Sequence, residues 1–141
     1  MPAFRPDALT LLLLDDHERA RRALARSLSA DPQVALAGET DDVREALRLV
    51  EAASAHAVLL DIRRADGGGI AALTALASMP APVRPVVIVH GAFFEPEVWR
   101  QANAAGADDW LVKQIDVRLL VARIHAAVRR VLPPERWPRL D

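Results

Sequence analysis

Apolar and polar positions follow two alternating periods along this chain. Short, nearly continuous apolar runs fall at residues 9–14, 34–37, 57–60, 85–89 and 110–112, where strands are predicted. Between them apolar residues recur every three or four positions, as on one face of a helix. The stripes are Leu24 with Leu28, then Val43 with Ala46, Leu47 and Val50, then Leu73 with Leu76. The longest comprises Val117, Leu120, Val121, Ile124, Val128 and Val131. Turn-forming residues separate the units at Asp31-Pro32, Gly67-Gly68-Gly69, Met79-Pro80-Ala81-Pro82 and Ala105-Gly106.

Five strands, each followed by a helix, predict a parallel sheet covered on both faces. The runs at 9–14 and 85–89 lack polar alternation, as strands buried on both sides should. Five units are too few for an eight-stranded barrel. The predicted fold class is therefore α/β, an open doubly wound five-stranded parallel sheet. No internal repeat is visible. Residues 1–132 are expected to form the domain. The proline-rich stretch 133–141 reads either as a tail docked through Trp137 or as the start of a linker.

Composition narrows the class of function. The 141 residues are 52% hydrophobic and 26% charged, with a formal net charge of −1 from 18 basic and 19 acidic groups. Such a balance offers no electrostatic footprint for nucleic acid or an anionic membrane. Arg19, Arg21, Arg22 and Arg26, like Arg129 and Arg130, are expected on solvated helix faces. Cysteine is absent, which excludes disulfides and thiolate metal sites. Purely apolar runs such as 11–14 fall far short of the ~20 residues that cross a bilayer. The first ten residues lack the layout of a signal peptide, so a soluble cytoplasmic protein is expected.

The candidate chemistry gathers at strand ends. Asp15 and Asp16 end the first strand, Asp61 the third, His90 the fourth and Lys113 the fifth. In a parallel sheet these ends share one edge, where open α/β folds bind ligands. With strand order 2-1-3-4-5, three carboxylates and a lysine would meet in one cleft. Close carboxylates need a neutralising charge, and Mg²⁺ accepts oxygen ligands while leaving room for water and phosphate. Lysine suits a phosphoryl oxygen. The set therefore points to phosphoryl transfer to an aspartate. The plainer alternative is that Asp15 and Asp16 only cap the first helix.

LLLLDDHERARRAL, VLLDIRRADGGG and GADDWLVK together resemble the three signatures of the bacterial two-component response-regulator receiver domain. The resemblance runs from about Leu9 to Leu132. It implies the (βα)5 flavodoxin-like receiver fold with strand order 2-1-3-4-5. It further implies that Asp61 is phosphoacceptor and metal ligand, and that Asp16, helped by Asp15, holds Mg²⁺ with the main-chain carbonyl of Arg63. By the same resemblance Lys113 pairs with Asp61 and then with phosphoryl oxygens, and Gly69 is the turn glycine. Trp110 stands at the switch aromatic position; its alternative is a plain buried strand residue. The implied partner is a sensor histidine kinase, docking on Arg19, Ala20, Ala23 and Leu24 of the first helix. The downstream partner is a second protein, contacted directly or by onward phosphotransfer. A monomer or weak homodimer, with no direct nucleic-acid or membrane contact, is expected. The first half is most similar to receivers that usually precede a DNA-binding domain.

Two positions depart from the family. Where it has serine or threonine followed by alanine, this chain has His90-Gly91; the imidazole either donates to a phosphoryl group or points to solvent. Where lysine is followed by proline through a cis bond, Gln114 follows Lys113. A cis bond there would cost ~2.5–4 kcal/mol, so either strain or a reshaped trans loop is implied. Arg63 and Arg64 are also unusual, and either steer an anionic donor or are solvated. Phe93 and Phe94 cannot easily both be buried, and an exposed one would suggest a contact surface.

Three functions remain in view. The leading one is a phosphoacceptor signalling switch, not an enzyme. A degenerate receiver acting as a phosphorylation-independent interaction module is the rival. A small phosphatase or nucleotide-binding enzyme is the third. The Gly67–Gly69 run lacks dinucleotide and P-loop spacing, and His17, His56, His90 and His125 show no metal-ligand spacing.

Overall fold

In a computed structural model, which describes residues 7–139, the strands are β1 (Leu9–Leu14), β2 (Val34–Thr40), β3 (Ala57–Leu60), β4 (Val86–Gly91) and β5 (Asp109–Val112). The helices are α1 (Glu18–Ser29), α2 (Val43–Ala53), α3 (Gly69–Ala77), α4 (Pro96–Ala104) and α5 (Val117–Val131). The sheet is wholly parallel with order β2-β1-β3-β4-β5, as expected. No helix among the described residues is long and apolar enough to cross a membrane.

Strand alternation sorts the core into two layers. Leu9, Leu11, Leu13, Leu59, Val86 and Ile88 face α1 and α5, packing on Leu28, Leu120 and Ile124. Leu12, Leu14, Val58, Leu60, Val87 and Val89 face the opposite layer, on Val50, Leu73 and Ala102. Burial on both faces explains why β1 and β4 read as unbroken apolar runs. Helix α4 carried no visible stripe because Ala102 is its one fully buried residue; Pro96 in its first turn marks its start. Asp42 and Asp116 cap α2 and α5 by accepting from backbone N–H groups.

The segment after α5 docks. Trp137 packs on the α1/α5 layer, and its Nε1 donates to the Leu132 carbonyl at 2.8 Å. The Arg129 guanidinium lies 5.3 Å over its ring, while Arg136 donates to the Arg84 carbonyl at 2.6 Å. Residues 1–6 and 140–141 lie outside the described residues.

Candidate functional site

The parallel register brings the C-terminal strand ends together. Asp61 N donates to the Leu14 carbonyl at 3.0 Å, Asp15 N to Thr40 and Lys113 N to Gly91. Backbone hydrogen bonds thus set Asp15, Asp61 and Lys113 on one edge before any side chain is considered. Lys113 Nζ donates to Asp61 Oδ2 at 2.6 Å and to Asp15 Oδ2 at 2.9 Å. The other Asp61 oxygen, Oδ1, accepts from Arg63 N at 2.8 Å. Asp61 is 5% exposed and Asp15 8%, so both carboxylates depend on these donors.

Asp15 and Asp16 do not cap α1. The N-cap is His17, without a side-chain capping bond, and Asp15 Oδ1 instead accepts from His17 N at 2.8 Å. Asp16 stands at the rim, its Oδ2 accepting from Ala65 N at 2.7 Å, and so fastens the β3–α3 loop. Burial works to raise the Asp15 carboxyl, but hydrogen bonds from His17 and Lys113 outweigh it and leave it below its ordinary value. For Lys113, burial opposes the ammonium, while Asp61 and Asp15 prevail and hold it above its ordinary value.

Sequence reasoning missed His17. Its Nδ1 lies 2.8 Å from Asp15 Oδ1, 3.2 Å from Asp61 Oδ2 and 3.4 Å from Asp16 Oδ1. One donor atom from each of Asp15, His17 and Asp61 falls within 4.8 Å of the others. The hydrogen bond to Asp15 raises the His17 pKa. Spacing among the four histidines held no sign of this, because the partners are carboxylates. The usable signal was adjacency to Asp15-Asp16.

His90 does not point to solvent. Alternation sends it to the same side as Val86 and Ile88, and it is 5% exposed. It lines a cavity of about 130 Å³ with Leu13, Ala20, Leu24, Leu59, Asp61 and Lys113. Burial, then the Lys113 charge, lowers its pKa to about 4, so at neutral pH it is an imidazole rather than a donor cation. Its Nε2 is buried without a hydrogen-bond partner. The sole cis bond among the described residues is Ala81–Pro82; Lys113–Gln114 is trans.

Trp110 is buried and meets Phe94 and Trp99 edge-on, at centroid distances of 5.4 and 6.2 Å. A Cβ on Gly91 would come within 3.2 Å of Trp110 Cζ2, so glycine at the family's alanine position makes room for the larger ring. Phe93 and Phe94 are both exposed, at 64% and 52%. Of the two loop arginines, Arg63 is exposed and pairs with Glu95, whereas Arg64 is buried against Asp66 and the Asp41 carbonyl. Arg21, expected in solvent, donates to the Asp15 carbonyl at 2.7 Å and pairs with Glu39. On α1, Arg19, Ala20 and Ala23 are exposed and Leu24 is half-buried. Gly69 opens α3 where a Cβ would lie 1.8 Å from the Ile62 carbonyl oxygen, which admits no other residue without a backbone shift.

The donor chemistry fits a hard divalent cation: carboxylate oxygens of Asp15 and Asp61 converge, with Asp16 beside them. A groove of about 600 Å³ opens above, between His17, Arg63, Phe93, Trp110 and Lys113, wide enough for a phosphoryl donor.

Known proteins are similar to this chain. The family model described as the response regulator receiver domain matches residues 11–125. The DNA-binding transcriptional activator DevR/DosR of Mycobacterium tuberculosis is 36% identical over 105 residues, 74% of this chain and 48% of its own length. The probable transcriptional regulatory protein NarL of the same organism is 33% identical over 109 residues, 77% of this chain and 50% of its own. The solved signal receiver domain of the putative response regulator NarL from M. tuberculosis superposes with a TM-score of 0.75 at 28% identity, over 88% of this chain and 98% of that one. The chain spans about half the length of the curated relatives it matches. With a matching family model over most of its length and this sheet order, the chain belongs to the response-regulator receiver domain family.

Proposed function

We propose that this receiver is a phosphoacceptor switch that takes a phosphoryl group onto Asp61 from the phosphohistidine of a sensor histidine kinase. The observation that carries the reading is the Lys113 ammonium held at 2.6 Å on a nearly inaccessible Asp61 and at 2.9 Å on Asp15. An Asp61 oxygen attacks phosphorus in line, the P–N bond breaks, and its electron pair leaves with the kinase imidazole. Lys113 stays on the same edge to balance charge arising on the phosphoryl oxygens. Arg63 N keeps Asp61 Oδ1 oriented.

Asp15, Asp16, Asp61 and the main-chain carbonyl of Arg63 would hold Mg²⁺. When bound, the ion supplies charge neutralisation for phosphoryl transfer. The chain acts as a signalling protein in the cytoplasm rather than as an enzyme on other substrates. Residues 1–132 form the receiver, with 133–141 as a proline-rich tail or the start of a linker. The kinase approaches over Arg19, Ala20, Ala23 and Leu24, and output passes to a second protein.

A specific observation favours the rival, a degenerate receiver that serves as an interaction module. The neutral, buried His90 stands where the family has a hydroxyl. Intact-protein mass spectrometry after incubation with acetyl phosphate, with and without Mg²⁺, separates the two. A Mg²⁺-dependent gain of one phosphoryl group, lost in Asp61→Asn, is expected. No gain, with no rise in melting temperature on adding Mg²⁺, would leave the degenerate module.

A further inference from the structure

His17 brings a nitrogen donor to an otherwise all-oxygen cation site. Its Nδ1 stands 2.8, 3.2 and 3.4 Å from oxygens of Asp15, Asp61 and Asp16. Donors at ~2.0–2.1 Å from one ion, at right or tetrahedral angles to each other, lie roughly 2.8–3.4 Å apart. The spacing is thus that of neighbouring ligands on one cation. The ring is not there by chance of rotamer alone, since His17 N donates to Asp15 Oδ1 and fixes the residue above both carboxylates. Because the side chain is 56% exposed, a cation can reach Nδ1 from solvent. Beside this cluster, buried His90 lines a separate cavity with Asp15, Asp61 and Lys113, and its Nε2 has no hydrogen-bond partner.

We propose that His17 is a nitrogen ligand of this site, which therefore prefers a borderline divalent cation such as Co²⁺, Ni²⁺ or Zn²⁺ over Mg²⁺. Imidazole suits those ions, while a purely carboxylate and water site suits Mg²⁺. The inference rests on the cation site of the phosphoacceptor reading and deepens it.

The alternative role for His17 is a counter-charge that neutralises the carboxylates and must be displaced by any cation. The two roles differ in sign. Calorimetric titration of the full chain with Mg²⁺ and with Co²⁺, in wild type and His17→Ala, distinguishes them, and the visible ligand-field bands of Co²⁺ report its donors. Loss of an outer partner already costs metal sites roughly 10–100-fold, so loss of the ligand itself should weaken Co²⁺ at least about tenfold, and Mg²⁺ less than about twofold. The Co²⁺ bands should shift as nitrogen is replaced by water. Unchanged Co²⁺ affinity, or tighter binding of both ions by His17→Ala, overturns the proposal. Failure of wild type to bind either ion overturns it together with the metal-dependent phosphoacceptor reading. If Mg²⁺-dependent phosphorylation of Asp61 persists while His17→Ala leaves Co²⁺ untouched, only the inference about His17 fails.

Discussion

Replacing Lys113 with methionine should turn the centre of the site from an asset into a liability for folding. With both oxygens within 2.9 Å of one nitrogen, the Asp15 and Asp61 carboxylates stand no more than ~5.5 Å apart, where like charges repel by about 3 kcal/mol at an effective dielectric of 20. Both are nearly inaccessible, at 8% and 5%, so water does little to relieve them. Removing one partner of a buried ion pair typically costs about 3–5 kcal/mol, and His17 compensates only part of this from the rim. We expect Lys113→Met to lose about 3 kcal/mol at pH 7.5 in the absence of divalent cations, measured by urea unfolding followed through tryptophan fluorescence. The loss should shrink toward pH 5, where one carboxylate can take up a proton, and should shrink again on adding Mg²⁺. The double variant with Asp61→Asn should regain most of it, since a single carboxylate has no repulsive neighbour. A loss under about 1 kcal/mol, or one that ignores pH and Asp61→Asn, would refute the reasoning.

Two further perturbations test other parts of the structure. His56 Nδ1 accepts from Thr10 N at 3.0 Å, and burial, then the Arg136 charge, lowers its pKa to about 4 from 6.5. The folded pKa lies below the unfolded one, so its stabilisation is complete above pH 6.5 and is lost as pH falls toward 4. Allowing for partial exposure, wild type should lose about 2 kcal/mol more than His56→Gln between pH 7.5 and 4.5; parallel unfolding curves for the two would count against this. Gly69→Ala drives a Cβ into the Ile62 carbonyl and should cost more than about 3 kcal/mol. Gly67→Ala, which meets no atom within 4 Å but has φ +74°, should cost only about 1–2 kcal/mol, and equal melting temperatures for the two variants would contradict that contrast.

The sequence alone determined the layered architecture, because period two and period 3.6 are local properties that any reader of the chain can count. The same apolar runs that predict strands also place Asp15, Asp61, His90 and Lys113 at strand ends, and parallel pairing then puts those ends on one edge. What each side chain does on that edge was a tertiary matter. His90 looked free to face solvent until alternation with Val86 and Ile88 was joined to helix α1, whose Ala20 and Leu24 line one cavity with it. Arg63 and Arg64 are indistinguishable neighbours in sequence, yet opposite faces of one loop leave the first in solvent with Glu95 and bury the second. Arg21 and His17 became part of the site only because α1 starts directly above the end of β1. Hydrophobic periodicity is written in nearest neighbours along the chain, whereas a polar side chain's role is set by partners up to 98 residues away, as Lys113 and Asp15 are. Only the folded backbone brings such partners within hydrogen-bonding distance.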